Sequence, residues 1–189
     1  MISAITLSTR DMPPDFRPFL WNILGFQEAY AIRMFLGDKK RILVLGETSG
    51  RDTYFLRSQG KDVVAVDIAL STPIQPLVVA DVTRPLPFPT GYFDGVVMSE
   101  ILEHLLEDLQ ALREVRRVLA DDGVLTVSVP FYHEWPGVHL RLHSPSTICA
   151  LLERSGFVVD DLIERGAWLD WHQPIQLLCT VLYQAGRLL

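Results

Sequence analysis

Three short apolar runs in this chain end on carboxylates: residues 63–66 on Asp67, 77–80 on Asp81, and 96–98 on Ser99-Glu100. A further run, 42–45, ends in a turn bounded by two glycines, Gly46-Glu47-Thr48-Ser49-Gly50. If the runs are parallel strands, all four ends meet at one edge of a sheet, where open α/β folds bind ligands. Glycine lets a ligand approach the backbone, and the N-terminus of a following helix favours an anionic group. Asp67 lies 21 positions after Gly46, the spacing at which an acid accepts both hydroxyls of a ribose. Both features also have structural readings: a plain strand-to-helix turn, and an acid that caps a helix. The three carboxylates together disfavour a phosphate-rich ligand and suit a cationic, adenosine-containing one.

A second constellation follows the run at 124–129. Residues 130–143 hold three of the five histidines, His133, His139 and His143, with Tyr132, Glu134 and Trp135. Histidine titrates near neutrality, so His133 is the candidate general base, with His139 and His143 as alternatives. His143 stands just before Ser144-Pro145 and can equally fix a helix start; His104, in a helical pattern, reads as a packing or hydrogen-bonding residue. Tyr132, Trp135, His139 and Trp168 are the candidate walls of an acceptor pocket. Trp168, Trp171 and His172 also read as core. The two cysteines lie too far apart to make a metal cluster, and no metal is expected.

Elements must bring these residues together. The apolar runs 42–45, 63–66, 77–80, 96–98 and 124–129 have the length of strands buried on both faces. Helical patterns lie between most of them, at 53–58 and, most clearly, at 101–119, where Leu102, Leu105, Leu106, Leu109, Leu112 and Val115 share a face. Asp121-Asp122-Gly123 predicts a turn, and Ser144-Pro145 an N-cap for a helix that Gly156 stops. Residues 157–163 and 175–183 predict two more strands, with a terminal helix as the rival reading of the second. The alternation predicts an α/β fold, a doubly wound and mostly parallel sheet with helices on both faces. Residues 1–37 read as an N-terminal arm and helix, and 38–189 as one domain.

Bulk properties narrow the classes. The 189 residues are 49% hydrophobic and 21% charged, with a net charge of −6; that suits a folded domain and lends no support to nucleic-acid binding. The two cysteines, Cys149 and Cys179, lie far apart in apolar segments and read as small hydrophobes in a reducing compartment. No signal peptide or spanning helix is recognisable, so the cytoplasm is expected. The apolar fraction permits a homodimer or an apolar acceptor.

The stretch LPFPTGYFDGVVMSEILEHL over 86–105, followed by LREVRRVLADDGVL over 112–125, resembles the class I S-adenosylmethionine-dependent methyltransferases, in particular the small-molecule branch with the ubiquinone and menaquinone C-methylases. RLHSPS at 141–146 and LLERSGF at 151–157 extend the resemblance. It implies a seven-stranded sheet with the last strand antiparallel, and S-adenosylmethionine as cofactor with S-adenosylhomocysteine as product. It also implies site roles: Gly46, Thr48 and Gly50 around the methionine moiety, Asp67 on the ribose and Ile68 on the adenine. Asp81 would take the adenine amino group with Val82 beside it, and Ser99 and Glu100 would close the pocket near the sulfonium. The family's first motif usually places an acid at position 44 and glycine at 48; here Val44 and Thr48 stand there. Glu47 then becomes the candidate carboxylate for the methionine amino group, or else it points to water. The implied function is methyl transfer to a small acceptor. A catalytically silent binding subunit is the alternative, and a nicotinamide dehydrogenase is disfavoured because Gly46 to Gly50 lacks its fingerprint.

Overall fold

Runs of Val, Ile and Leu too short for helices form the middle of this molecule because both faces of a parallel sheet are covered. A computed structural model of the chain describes residues 35–47, 50–69, 76–130 and 136–162. They belong to one compact unit spanning 28–162. In order they form β1 (Arg41–Leu45), α1 (Arg51–Ser58), β2 (Asp62–Asp67), β3 (Leu77–Val79) and β4 (Phe93–Ser99). A 3-10 turn (Leu102–His104), α2 (Asp108–Val118), β5 (Leu119–Ser128) and α3 (Pro145–Arg154) follow. The five strands form one parallel sheet ordered β3-β2-β1-β4-β5.

β1, β2 and β4 carry the core. Ile42, Leu43, Val44, Leu45, Ala65, Val66, Val96, Val97 and Met98 are all buried. Val44 occupies an interior strand position. On one face α2 buries Ala111, Leu112, Val115 and Val118 against the sheet. Leu36, in the last turn before β1, is buried, and its Cδ2 lies 2.9 Å from where a Cβ on Gly95 would stand. The end of the expected N-terminal helix is therefore part of the sheet's cover.

Three expectations need correction. The helix expected over 101–119 is two pieces, because Leu105 turns extended (φ −101°, ψ 132°) after the 3-10 turn. The carbonyl of Glu103 accepts from Leu140 N and Arg141 N at 2.7 and 3.1 Å, so it is taken by a distant segment instead of the next helical turn. Leu106, expected on the apolar face, is exposed. Asp121-Asp122-Gly123 is no separating turn: β5 pairs Leu119 with Phe93, then slips, and resumes with Val124 opposite Gly95. The strand expected over 157–163 is irregular over 157–162; Phe157 N closes onto Leu152 O, and Val158 is exposed.

Other expectations match. Ser144 caps α3 with a reciprocal bond to Thr147, Pro145 takes the first helical position, and Gly156 follows the helix with φ +88°. Cys149 is a free, half-buried thiol on α3. Among the described residues no helix is long and apolar enough to cross a membrane. The strand expected over 175–183 and Cys179 lie outside the described residues, as does the arm up to residue 34.

Candidate functional site

Register places the strand ends in a row. Leu45 pairs with Val66 on one side and Met98 on the other, so Gly46, Asp67 and Ser99 stand at the next level. Ser99 pairs in turn with Ser128. The sheet order reverses beside β1, which makes this edge a topological switch point.

Backbone bonds knit the loops above the edge. Gly46 N donates to Val66 O at 2.9 Å, and Ala80 N donates to Asp67 O at 2.9 Å. Glu100 N donates to Ser128 O at 3.0 Å. Gly46, Asp67, Asp81, Ser99 and Glu100 are thereby brought to one edge. Gly46 has φ +70°, and a Cβ there would stand 2.8 Å from Ile101 Cδ1. Conformation and packing both require glycine at this position. Glu100 is the only positive-φ non-glycine among the described residues, at φ 54°.

Asp67 is buried at the end of β2, while Ile68 beside it is 72% exposed. An isoleucine that open, next to a buried carboxylate, presents an apolar face at this edge. Ala69 N donates to Asp67 Oδ1 at 3.2 Å. Asp81 Oδ1 accepts from Thr83 N and Thr83 Oγ1 at 2.9 and 2.7 Å. Those bonds hold its carboxyl below the usual aspartate range. Val82 is buried behind it.

Glu47 lies under the glycine turn. It is buried, and its Oε2 accepts from Thr53 N at 2.9 Å and Thr53 Oγ1 at 2.6 Å. It thus ties the first turn of α1 to the end of β1, and Gly50 enters the helix with φ +76°. Burial, reinforced by the nearby charge of Asp52, pushes the Glu47 carboxyl up to about 7. Asp52 is itself paired with Arg51 at 2.7 Å.

On the acceptor side, His139 stands against His104, ring centroids 5.1 Å apart and edge to face. His143 is buried, and desolvation holds its imidazole below the usual histidine range. Thr48, Tyr132, His133, Glu134, Trp135, Trp168, Trp171 and His172 lie outside the described residues.

Two features escaped sequence reading. Ser128 Oγ, level with Ser99, is buried without a hydrogen-bond partner among the described residues. Glu103 is buried to 1% exposure, and burial pushes its carboxyl up to about 6. A Glu-His pair inside an apolar pattern was the available signal, since a buried acid needs a partner.

Comparison with known proteins bears on this edge. Residues 43–127 match the profile of a methyltransferase domain. A probable S-adenosylmethionine-dependent methyltransferase of Mycolicibacterium smegmatis is 35% identical over 86 residues, covering 41% of this chain and 34% of that protein. The chain thus spans about a third of the length of this curated relative. An S-adenosylmethionine-dependent methyltransferase structure from Archaeoglobus fulgidus superposes with a TM-score of 0.61 at 17% identity, covering 84% of this chain and 86% of that one. The Burkholderia thailandensis 1,6-didemethyltoxoflavin-N1-methyltransferase, solved with 1,6-didemethyltoxoflavin and S-adenosylhomocysteine, gives 0.58 at 23% identity over 68% of this chain and 65% of that one. Both structural likenesses are of fold.

Proposed function

We propose that this chain is a class I S-adenosylmethionine-dependent methyltransferase that transfers a methyl group to a small acceptor, a reading supported by the match of residues 43–127 to a methyltransferase domain profile. The observation that carries the reading is buried Asp67, level with the positive-φ Gly46, next to exposed Ile68. A carboxylate for hydroxyls beside an apolar face for a flat ring fits an adenosine.

When bound, S-adenosylmethionine supplies a methyl group on a sulfonium, so the protein's work is alignment and exclusion of water. In this reading Asp67 takes the ribose hydroxyls and Ile68 packs on the adenine. Asp81 orients the adenine amino group through the oxygen that Thr83 leaves, with Val82 behind. The turn from Gly46 to Gly50, Thr48 included, follows the methionine moiety, and Glu47 is its candidate carboxylate. Ser99 and Glu100 border the transfer position, where carboxylates favour a cation. His133 is the candidate base for an acceptor that loses a proton, within a pocket of Tyr132, Trp135, His139 and Trp168. Residues 38–189 form the methyltransferase domain and 1–37 an arm and helix before it. The compositional reading adds a cytoplasmic protein able to pair as a homodimer, with an apolar or amphipathic acceptor.

The test is calorimetric titration of the full chain with S-adenosylmethionine and S-adenosylhomocysteine, with Asp67→Ala as control. Binding that weakens at least roughly ten-fold in the variant, a loss of about 1.4 kcal/mol, supports the reading. A folded wild type that binds neither compound overturns it, and leaves a binding subunit as the alternative.

A further inference from the structure

Glu103 is an acid inside the fold whose Oε2 has no hydrogen-bond partner among the described residues. A buried carboxylate oxygen left so is costly unless a cation or donor answers it. Two imidazoles face the same place. His104 Nδ1 lies 3.0 Å from the carbonyl of Val138. Only a protonated Nδ1 makes that bond, so Nε2 presents its lone pair when the ring is neutral. Nε2 stands 3.7 Å from Glu103 Oε1, too far for a hydrogen bond. His139 completes the group: one donor atom from each of Glu103, His104 and His139 lies within 4.8 Å of the others.

We propose that Glu103, His104 and His139 bind a divalent first-row transition-metal ion, zinc foremost. Two imidazoles and one carboxylate are a donor set that zinc accepts, whereas magnesium and calcium prefer oxygen alone. Donors about 2.0–2.2 Å from one ion stand roughly 3–3.5 Å apart. The His104–Glu103 separation is close to that, and rotation of the half-buried His139 ring supplies the remainder. The carbonyl that holds His104 is the outer partner metal-binding histidines commonly have, fixing tautomer and ring plane.

The frame is held before any ion arrives. Leu140 N and Arg141 N donate to Glu103 O, and the Arg141 guanidinium donates to Leu106 O at 2.6 Å. Residues 138–141 therefore strap His139 onto the 3-10 turn that carries the other two donors. His104 is 39% exposed, which gives an ion a way in from solvent. The turn follows Glu100 and Ile101, and Ile101 packs on Gly46. The metal site thus borders the edge assigned to the cofactor, with a fourth position for water or an acceptor oxygen.

The experiment uses the full chain after chelator treatment, titrated with Zn²⁺ by calorimetry and with Co²⁺ by visible absorption. One ion per chain and a ligand-field band in the cobalt form are expected. Glu103→Gln and His139→Gln should each weaken Zn²⁺ at least ten-fold and diminish the band, while Cys149→Ser changes neither. Circular dichroism verifies that the variants are folded; His139→Gln, at a half-buried position, keeps the test valid if Glu103→Gln unfolds. Zn²⁺ affinity unchanged in folded His139→Gln, or no binding to folded wild type, overturns the proposal. S-adenosylhomocysteine binding by metal-free protein separates failure here from failure of the methyl-transfer reading.

Discussion

Replacing Glu47 by glutamine should make the protein more stable at neutral pH and remove much of its pH dependence there. The wild-type carboxyl is buried beside Asp52 and titrates near 7, against an ordinary value of 4.5. Its folded-state pKa is raised, so its contribution to stability is fully present below pH 4.5 and is lost as pH rises through 7. A displacement of that size is worth about 3 kcal/mol at pH 8, with a slope near 1.4 kcal/mol per pH unit between the two values. The glutamine oxygen can still accept from Thr53 N and Thr53 Oγ1, so the tie to α1 survives. Urea unfolding followed by circular dichroism, at pH 5 to 8, measures the difference between variant and wild type. That difference should grow with pH, in favour of glutamine, and level off above 7. His143 acts in the opposite sense, since its depressed pKa makes stability fall on acidification below about 6.5. It cancels in the difference. Parallel curves, or a glutamine variant less stable at pH 8, would refute the reasoning. Cofactor titration of the same variant divides two roles: unchanged affinity makes Glu47 an anchor for α1 alone, and weakened affinity makes it a ligand to the methionine amino group.

Two further substitutions read the frame around the site. Gly46→Ala should destabilise by about 1–3 kcal/mol, because alanine resists φ +70° and its Cβ would press Ile101 Cδ1; thermal unfolding checks this, and a neutral result would mean the turn relaxes. Glu114→Gln should cost about 1–2 kcal/mol at pH 7. Glu114 accepts from Leu86 N and from the Arg117 guanidinium, holding the proline-rich loop to α2. These bonds depress its carboxyl, so its contribution is present at neutral pH and fades as the pH falls through the folded-state value. Urea unfolding at pH 7 and pH 3 should therefore show a gap that closes in acid.

The central sheet was legible because parallel strands announce themselves. Residues 42–45 and 63–66 are unbroken apolar runs, and both became strands buried on both faces. The cap at Ser144 and the stop at Gly156 were legible because each acts within four residues of itself. The break after His104 was not, since Leu102, Leu105, Leu106 and Leu109 continue a helical period through it. What ends the helix is capture of the Glu103 carbonyl by Leu140 and Arg141, a contact no local window contains. The slip in β5 was hidden for the same reason: Asp121-Asp122-Gly123 reads alike as a turn or a bulge until the partner strand is known.

The same distinction runs through the candidate site. Asp67 ends β2 and Asp81 follows the end of β3 by two residues, so register carries both to the edge; their positions follow from a pattern of period and punctuation. Glu47 sits in an equally plain motif, yet its carboxylate turns inward to Thr53, because the first turn of a helix offers donors that a nearby acid satisfies. Side-chain direction at a turn is decided by whichever donor is nearest in space. Glu103 and His139 are farther still from legibility, being 36 positions apart in the sequence and joined only through the strap at 138–141. Roles that need only an edge position therefore rest on the sheet, which is deeply buried. Roles that need a particular carboxylate direction rest on a few loop hydrogen bonds, and there a single substitution separates a ligand from a structural anchor.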